Sequence, residues 1–116
     1  MSLTKATLLE KTQPSKPDHL GEFFGLDLYV KPVSELQRSR RMAAMYDTKK
    51  EQIRPEAMQR ARALTIIDHI CDENGDSLFN DKDINDVMGM ESHKVDLLCS
   101  AIEDWVGSRE KKLLGK

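Results

Sequence analysis

Little in this chain could build a disulfide scaffold, a membrane span or a familiar catalytic motif. It has only two cysteines, Cys71 and Cys99, whereas small secreted domains that depend on bridges carry several. Both are expected as reduced, half-buried helix residues in a cytoplasm. No apolar run approaches the ~18 residues of a spanning helix, and the N-terminus lacks the apolar core of a signal peptide. Aromatic residues make up 5% of the 116 positions and hydrophobic residues 39%. A chain of this length suits one domain with a small core, part of which a partner could complete. Nucleophile elbows, phosphate-cradling glycine loops and H-E-x-x-H helices are missing, which argues against an enzyme, and nothing calls for a cofactor.

Charge, by contrast, is plentiful. Charged residues reach 33%, against roughly 25% in an average domain. Residues 1–66 carry 12 Lys/Arg against 8 Asp/Glu, a balance of +4; residues 67–116 carry 6 against 12, a balance of −6; together they give the net −2. Opposite-signed halves can orient a partner, or align copies head to tail as a homo-oligomer. The basic set Arg38, Arg40, Arg41, Lys49, Lys50, Arg54, Arg60 and Arg62 raises a small regulatory or nucleic-acid-binding helical protein as an alternative. These residues spread over more than one helical face, and no aromatic residues interleave to stack bases. A solvated or protein-binding face suits them better.

Along the chain, residues 1–18 read as a flexible N-terminal segment, 19–107 as a single domain and 108–116 as a basic tail. Thr4 can cap a short helical turn in "TKATLLEK", and "TQPSKPDH" reads as a linker. Phe24-Gly25 lies between two short apolar and aromatic runs, which signals a hairpin that Pro32 ends. Ser34 and Gln37 form a capping-box pair, with Val33 as a staple, so a helix starts there. On it Leu36, Ala43 and Tyr46 share one face, while Arg38 and Arg41 share another. "YDTKKEQIR" has no clear face and reads as a loop or frayed link. Pro55 opens a second helix running to about Cys71, apolar nearly all round at its end and therefore central to the core. A short helix follows from about Asp81 to Met88, capped by Asn80 or Asp81 and closed by Gly89. Ser92 caps the last helix, where Val95, Leu98, Cys99, Ile102, Trp105 and Val106 recur at helical spacing until Gly107. The expected fold is α+β and mainly α: four to five helices with one short N-terminal β-hairpin.

The stretch "DENGDSLFNDKD" invites a calcium reading. With Asp72 first, Asn74, Asp76 and Asp83 fall on ligand positions of an EF-hand loop. Ser77, however, occupies the position that needs glycine, Asp83 is one methylene shorter than the usual glutamate, and no second loop exists to pair with it. The same residues explain a turn in which Asn74-Gly75 accept positive φ, Leu78 and Phe79 tuck onto the core, and Asn80/Asp81 cap the next helix. The turn is the stronger reading. A zinc site from His69, Cys71, His93 and Cys99 is weaker still, because residues two apart on a helix point about 200° apart.

Two stretches, "LDLYVKPVSELQRSR" and "ARALTIIDHICDENGDSLFNDKDINDV", resemble the tail assembly chaperones of long-tailed bacteriophages. In these proteins a "VYVRPL"-like segment precedes a polar helix, and an apolar helix runs into a "CDEDGxxLFTDEDV"-like stretch. The resemblance covers roughly residues 20–106 and does not extend to the link before Pro55. It implies a non-catalytic chaperone in the host bacterial cytoplasm that is absent from the mature virion. Its partners would be the tape measure protein and, as a further candidate, tail tube subunits. The helix bearing Arg38, Arg41, Met42 and Met45 is the expected contact surface, methionine being adaptable at interfaces.

Overall fold

The computed structural model describes residues 2–115. Thr4 caps α1 (Lys5–Lys11) by accepting from the Thr7 amide, and no side chain of this helix is buried. Strands β1 (Asp18–Phe23) and β2 (Leu26–Val30) form the expected antiparallel hairpin. At its tip Phe24 has φ 57° and Gly25 φ 77°. Two successive positive φ values define the turn whose twist matches paired strands, and glycine takes the second at no steric cost.

After Pro32, the Ser34–Gln37 capping box starts α2 (Glu35–Met45): Gln37 donates to Ser34 Oγ and the Ser34 amide donates to Gln37 Oε1. The link 46–54, expected as a loop or frayed helix, is instead a minimal hairpin of β3 (Tyr46–Asp47) and β4 (Gln52–Ile53). Asp47 Oδ1 accepts from the Lys49 and Lys50 amides and so closes its turn. Pro55 then occupies the first turn of α3 (Pro55–His69), where a missing N–H is harmless.

Helix α3 stops two residues before the expected Cys71. Ile70 and Cys71 become β5, which pairs Val30↔Ile70 and Tyr29↔Cys71. The resulting three-stranded sheet has the order β1-β2-β5. The local pattern favours continued helix, but extended backbone here lets β2 satisfy its second edge while both side chains stay buried. A 3-10 turn (Asp81–Asp83) leads into α4 (Ile84–Met88), which ends at Gly89.

Ser92 begins α5 (Ser92–Leu113), but Glu91 holds the capping position, without a side-chain cap. The expected stop at Gly107 does not occur. Beyond it the good helix formers Arg109, Glu110, Lys111 and Lys112 sustain the helix. Arg109 anchors this extension by donating to Ser15 Oγ at 2.6 Å and lying over the Trp105 ring. Trp105 Nε1 in turn donates to Asp18 at 2.8 Å, joining α5 to β1.

The core forms where two matching stripes meet. Ala63, Ile66, Ile67 and Ile70 from α3–β5 face Val95, Leu98, Cys99 and Ile102 from α5, with Val30 and Val87 closing the ends. Both stripes follow the i, i+3, i+4, i+7 spacing that puts residues on one helical face. Among the described residues there are five helices and a few short strands, so the fold is α+β and mainly α. Outside this core the molecule is open. Its radius of gyration is 16.0 Å, against about 13 Å for a compact chain of this length. It exposes 8924 Å², against roughly 6400 Å² for a folded monomer of this mass.

Candidate functional site

The acidic stretch folds as a tight turn whose polar groups serve one another. Asp72 Oδ1 accepts from the Asn74 amide at 2.8 Å and the Asp76 amide at 3.0 Å. The Asp72 amide donates to the Asp76 carbonyl, and Gly75, at φ 90°, donates to the Asp72 carbonyl. Lys31 crosses from the hairpin to bond the Gly75 carbonyl and Ser77 Oγ. Asp83 Oδ2 accepts from the Asn80 amide and Asn80 Oδ1 from the Lys82 amide, a reciprocal cap for the 3-10 turn. Asp72 and Asp83 are thus engaged in separate local networks. Among the described residues, no three His, Cys, Asp or Glu side chains converge as metal ligands would. His69 Nδ1 bonds the Thr65 carbonyl, and His93 is exposed. Burial pushes the thiols of Cys71 and Cys99 above the ordinary value, which makes both poor nucleophiles.

The turn also sets the position of Leu78 and Phe79, with one departure from expectation. Phe79 packs against the core, but Leu78 does not tuck in. It forms one wall of an apolar groove of 390 Å³. The hairpin supplies Phe24, Leu26 and Leu28 to this groove, and Ile66 and Ile70 form its floor. Met90, Lys94 and Leu98 close the far side. Phe24, Leu26 and Leu78 remain 47%, 61% and 49% exposed. Lys94 stands over the Phe24 ring at 5.4 Å and pairs with Glu91, so the groove has a charged rim. No sequence pattern announces this groove. Its walls come from segments up to 74 residues apart (Phe24 to Leu98) and meet only in the folded chain.

Helix α2 is the second unusual surface, since none of its residues is buried. Leu36 and Met42 are 59% and 51% exposed. The four expected contact residues therefore separate. Arg38 and Met42 face solvent, and Met45 is half-buried. Arg41 turns inward, to two carboxylates. It donates to Asp68 at 3.1 and 2.6 Å, and to Asp81 at 3.3 and 2.8 Å. The Arg41 and Asp68 side chains are only 19% and 25% exposed. The hydrogen bonds that Arg41 donates to Asp68 are the main influence holding the guanidinium above its already high ordinary value, against the opposing effect of burial; Asp81 adds to it. Arg41 is consequently charged at every pH the fold survives, and it clamps α2 to α3. A second cross-link of the basic and acidic halves joins Arg62 to Asp96. Part of the opposite charge expected to recruit other copies is thus spent within one chain.

No protein family, curated protein or solved structure matches this chain.

Proposed function

We propose that this protein is a non-catalytic tail assembly chaperone, which holds the long helical tape measure protein until tail tube subunits polymerise around it. The observation that carries this reading is the open apolar groove between the hairpin tip, the Leu78 turn and the start of α5. A contiguous apolar surface with a charged rim suits a partner that brings its own apolar face. An amphipathic helix would present anchors at i, i+3, i+4 and i+7 to such a groove. Met90, which lines it, supplies a side chain that adapts to varied clients. The surplus exposed area also supports the reading, because it exceeds the ~800 Å² that each partner contributes to an ordinary interface. The tail-assembly direction rests on the resemblance carried by Cys71–Val87. On this reading the protein acts in the host bacterial cytoplasm and is absent from the finished virion. Among the described residues no helix is long and apolar enough to cross a membrane.

The test is co-expression with overlapping fragments of the tape measure protein from the same phage or prophage. Capture of a helical fragment is expected, and Leu26→Asp together with Leu78→Asp should abolish it while the fold persists, since both side chains are half exposed. Failure to capture any fragment, or capture unaffected by these substitutions, would refute the assignment.

A further inference from the structure

Helix α2 does not lie flat on the body of the protein. Arg41 holds it off the face formed by α3, α4 and the Asn80–Lys82 turn, with open space on either side of the clamp. One gap, of 510 Å³, runs between Arg40 and Ala44 on α2 and Ile67, Phe79 and Lys82 on the body. The other, of 270 Å³, lies over Ala57, Leu64 and Ile84 and is edged by Met45, Arg54 and Arg60. Arg41, Ala44 and Asp81 line both, so the two gaps form one cleft divided by the clamp.

The charges around this cleft are unbalanced. Asp68 and Asp81 are already engaged by Arg41. Arg40, Lys82, Arg54 and Arg60 have no ion-pair partner among the described residues. With Arg41 included, five cations line the cleft against the three carboxylates Asp68, Asp81 and Glu56, an excess of two positive charges. The floor between these cations is apolar, made by Ala57, Leu64, Ile84 and Phe79. A nucleic-acid strand would leave that floor wetted, and Phe79, half-buried against the core, is the single aromatic ring of the lining, where successive bases need a row of them. An acidic polypeptide helix would satisfy both features: apolar side chains cover the half-buried Leu64, Ile84 and Phe79, while flanking carboxylates meet the arginines in forked hydrogen bonds.

We infer that the cleft beneath α2 is a docking slot for an acidic amphipathic helix of a partner protein. The slot is separate from the apolar groove at the hairpin tip, with Phe79 as the wall between them, and it does not depend on the tail-chaperone reading.

The probe is a fluorescein-labelled synthetic helix of about 18 residues, long enough to hold helical structure. It carries leucines at i, i+3, i+4 and i+7 with glutamates on both flanks, and binding to the full-length protein is read by anisotropy. Binding is expected to weaken about tenfold or more when Arg54→Glu and Arg60→Glu are combined. Both positions are exposed, so the fold should survive. Leu26→Asp, in the other groove, should leave the affinity unchanged. Exchanging the peptide's leucines for glutamine should remove binding although its charge is kept. The inference is overturned if a lysine-flanked peptide binds equally well, or if the glutamine peptide does. Loss of binding in Leu26→Asp would move the site to the hairpin groove. A single-stranded oligonucleotide that displaces the peptide at lower concentration would make the cleft a nucleic-acid site.

Discussion

Replacing Arg41 by methionine should release α2 without unfolding the core. Methionine retains much of the stem but removes the fork that reaches Asp68 and Asp81. An exposed ion pair is worth ~0.2–1 kcal/mol, and breaking a buried one by removing one partner costs ~3–5 kcal/mol. With side chains 19% and 25% exposed, Arg41–Asp68 lies between these limits, while Asp81, at 72%, adds little. We expect a loss of about 2 kcal/mol, equivalent to an increase of about thirtyfold in the detached population. The loss should be local because no α2 residue is buried in the core. Hydrogen exchange should therefore accelerate at the amides of residues 39–45, while those of α3 between Ala63 and Ile67 keep their protection. Arg41→Lys retains the charge without the fork and should recover only part of the attachment. Asp68→Asn added to Arg41→Met should cost far less than its effect alone, as expected for partners in one contact. Unchanged exchange in α2, or equal loss of protection in α3, would refute the view of α2 as an arm held by one clamp.

Three further outcomes follow from the backbone and the buried thiols. Gly107→Ala should stabilise the protein by about 0.5–1 kcal/mol in thermal or urea unfolding, since Gly107 lies inside α5 and an added Cβ meets nothing within 4 Å; destabilisation would mean that the helix ends there. Gly25→Ala should cost about 1 kcal/mol through its φ of 77° alone, for its Cβ also meets open space, and Gly25→Asn should recover most of that loss. Cys71 and Cys99 should resist alkylation at pH 8 except through unfolding. Their folded pKa values lie above the ordinary 9.0, so the stability linked to them is complete below that pH and declines as pH rises through the folded values. Urea midpoints measured from pH 8 to 10 should fall, and less steeply in Cys71→Val; an equal fall in that variant would contradict a role for the thiol.

Features governed by neighbours in sequence were legible in advance. The turn at Phe24-Gly25, the capping box at Ser34 and Gln37, the proline opening α3 and the stripe on α5 each depend on a few adjacent residues. The cap at Asn80 belongs with them, because Asp83 lies only three residues away. The same locality explains why the alternating oxygens of Asp72–Asp83 resembled a calcium loop: a list of side chains does not show which backbone amides they accept from.

Tertiary structure decided the rest, because the deciding partners lie far away along the chain. Ile70 and Cys71 left the helix since β2, some 40 residues earlier, offered an open edge. Leu78 stayed in the groove since Phe24 and Leu26 flank the opening that it lines. Arg41 read as one of several exposed basic residues until folding brought Asp68 and Asp81 to it. The sequence alone thus determined the first hairpin, the starts of α2 and α3 and the buried face of α5, through propensity, capping and periodicity, but not the β3–β4 hairpin, the strand at Ile70-Cys71 or the end of α5. Only the packed chain determined which apolar residues remain uncovered and which charges are already paired, because burial and ion pairing belong to pairs of distant residues.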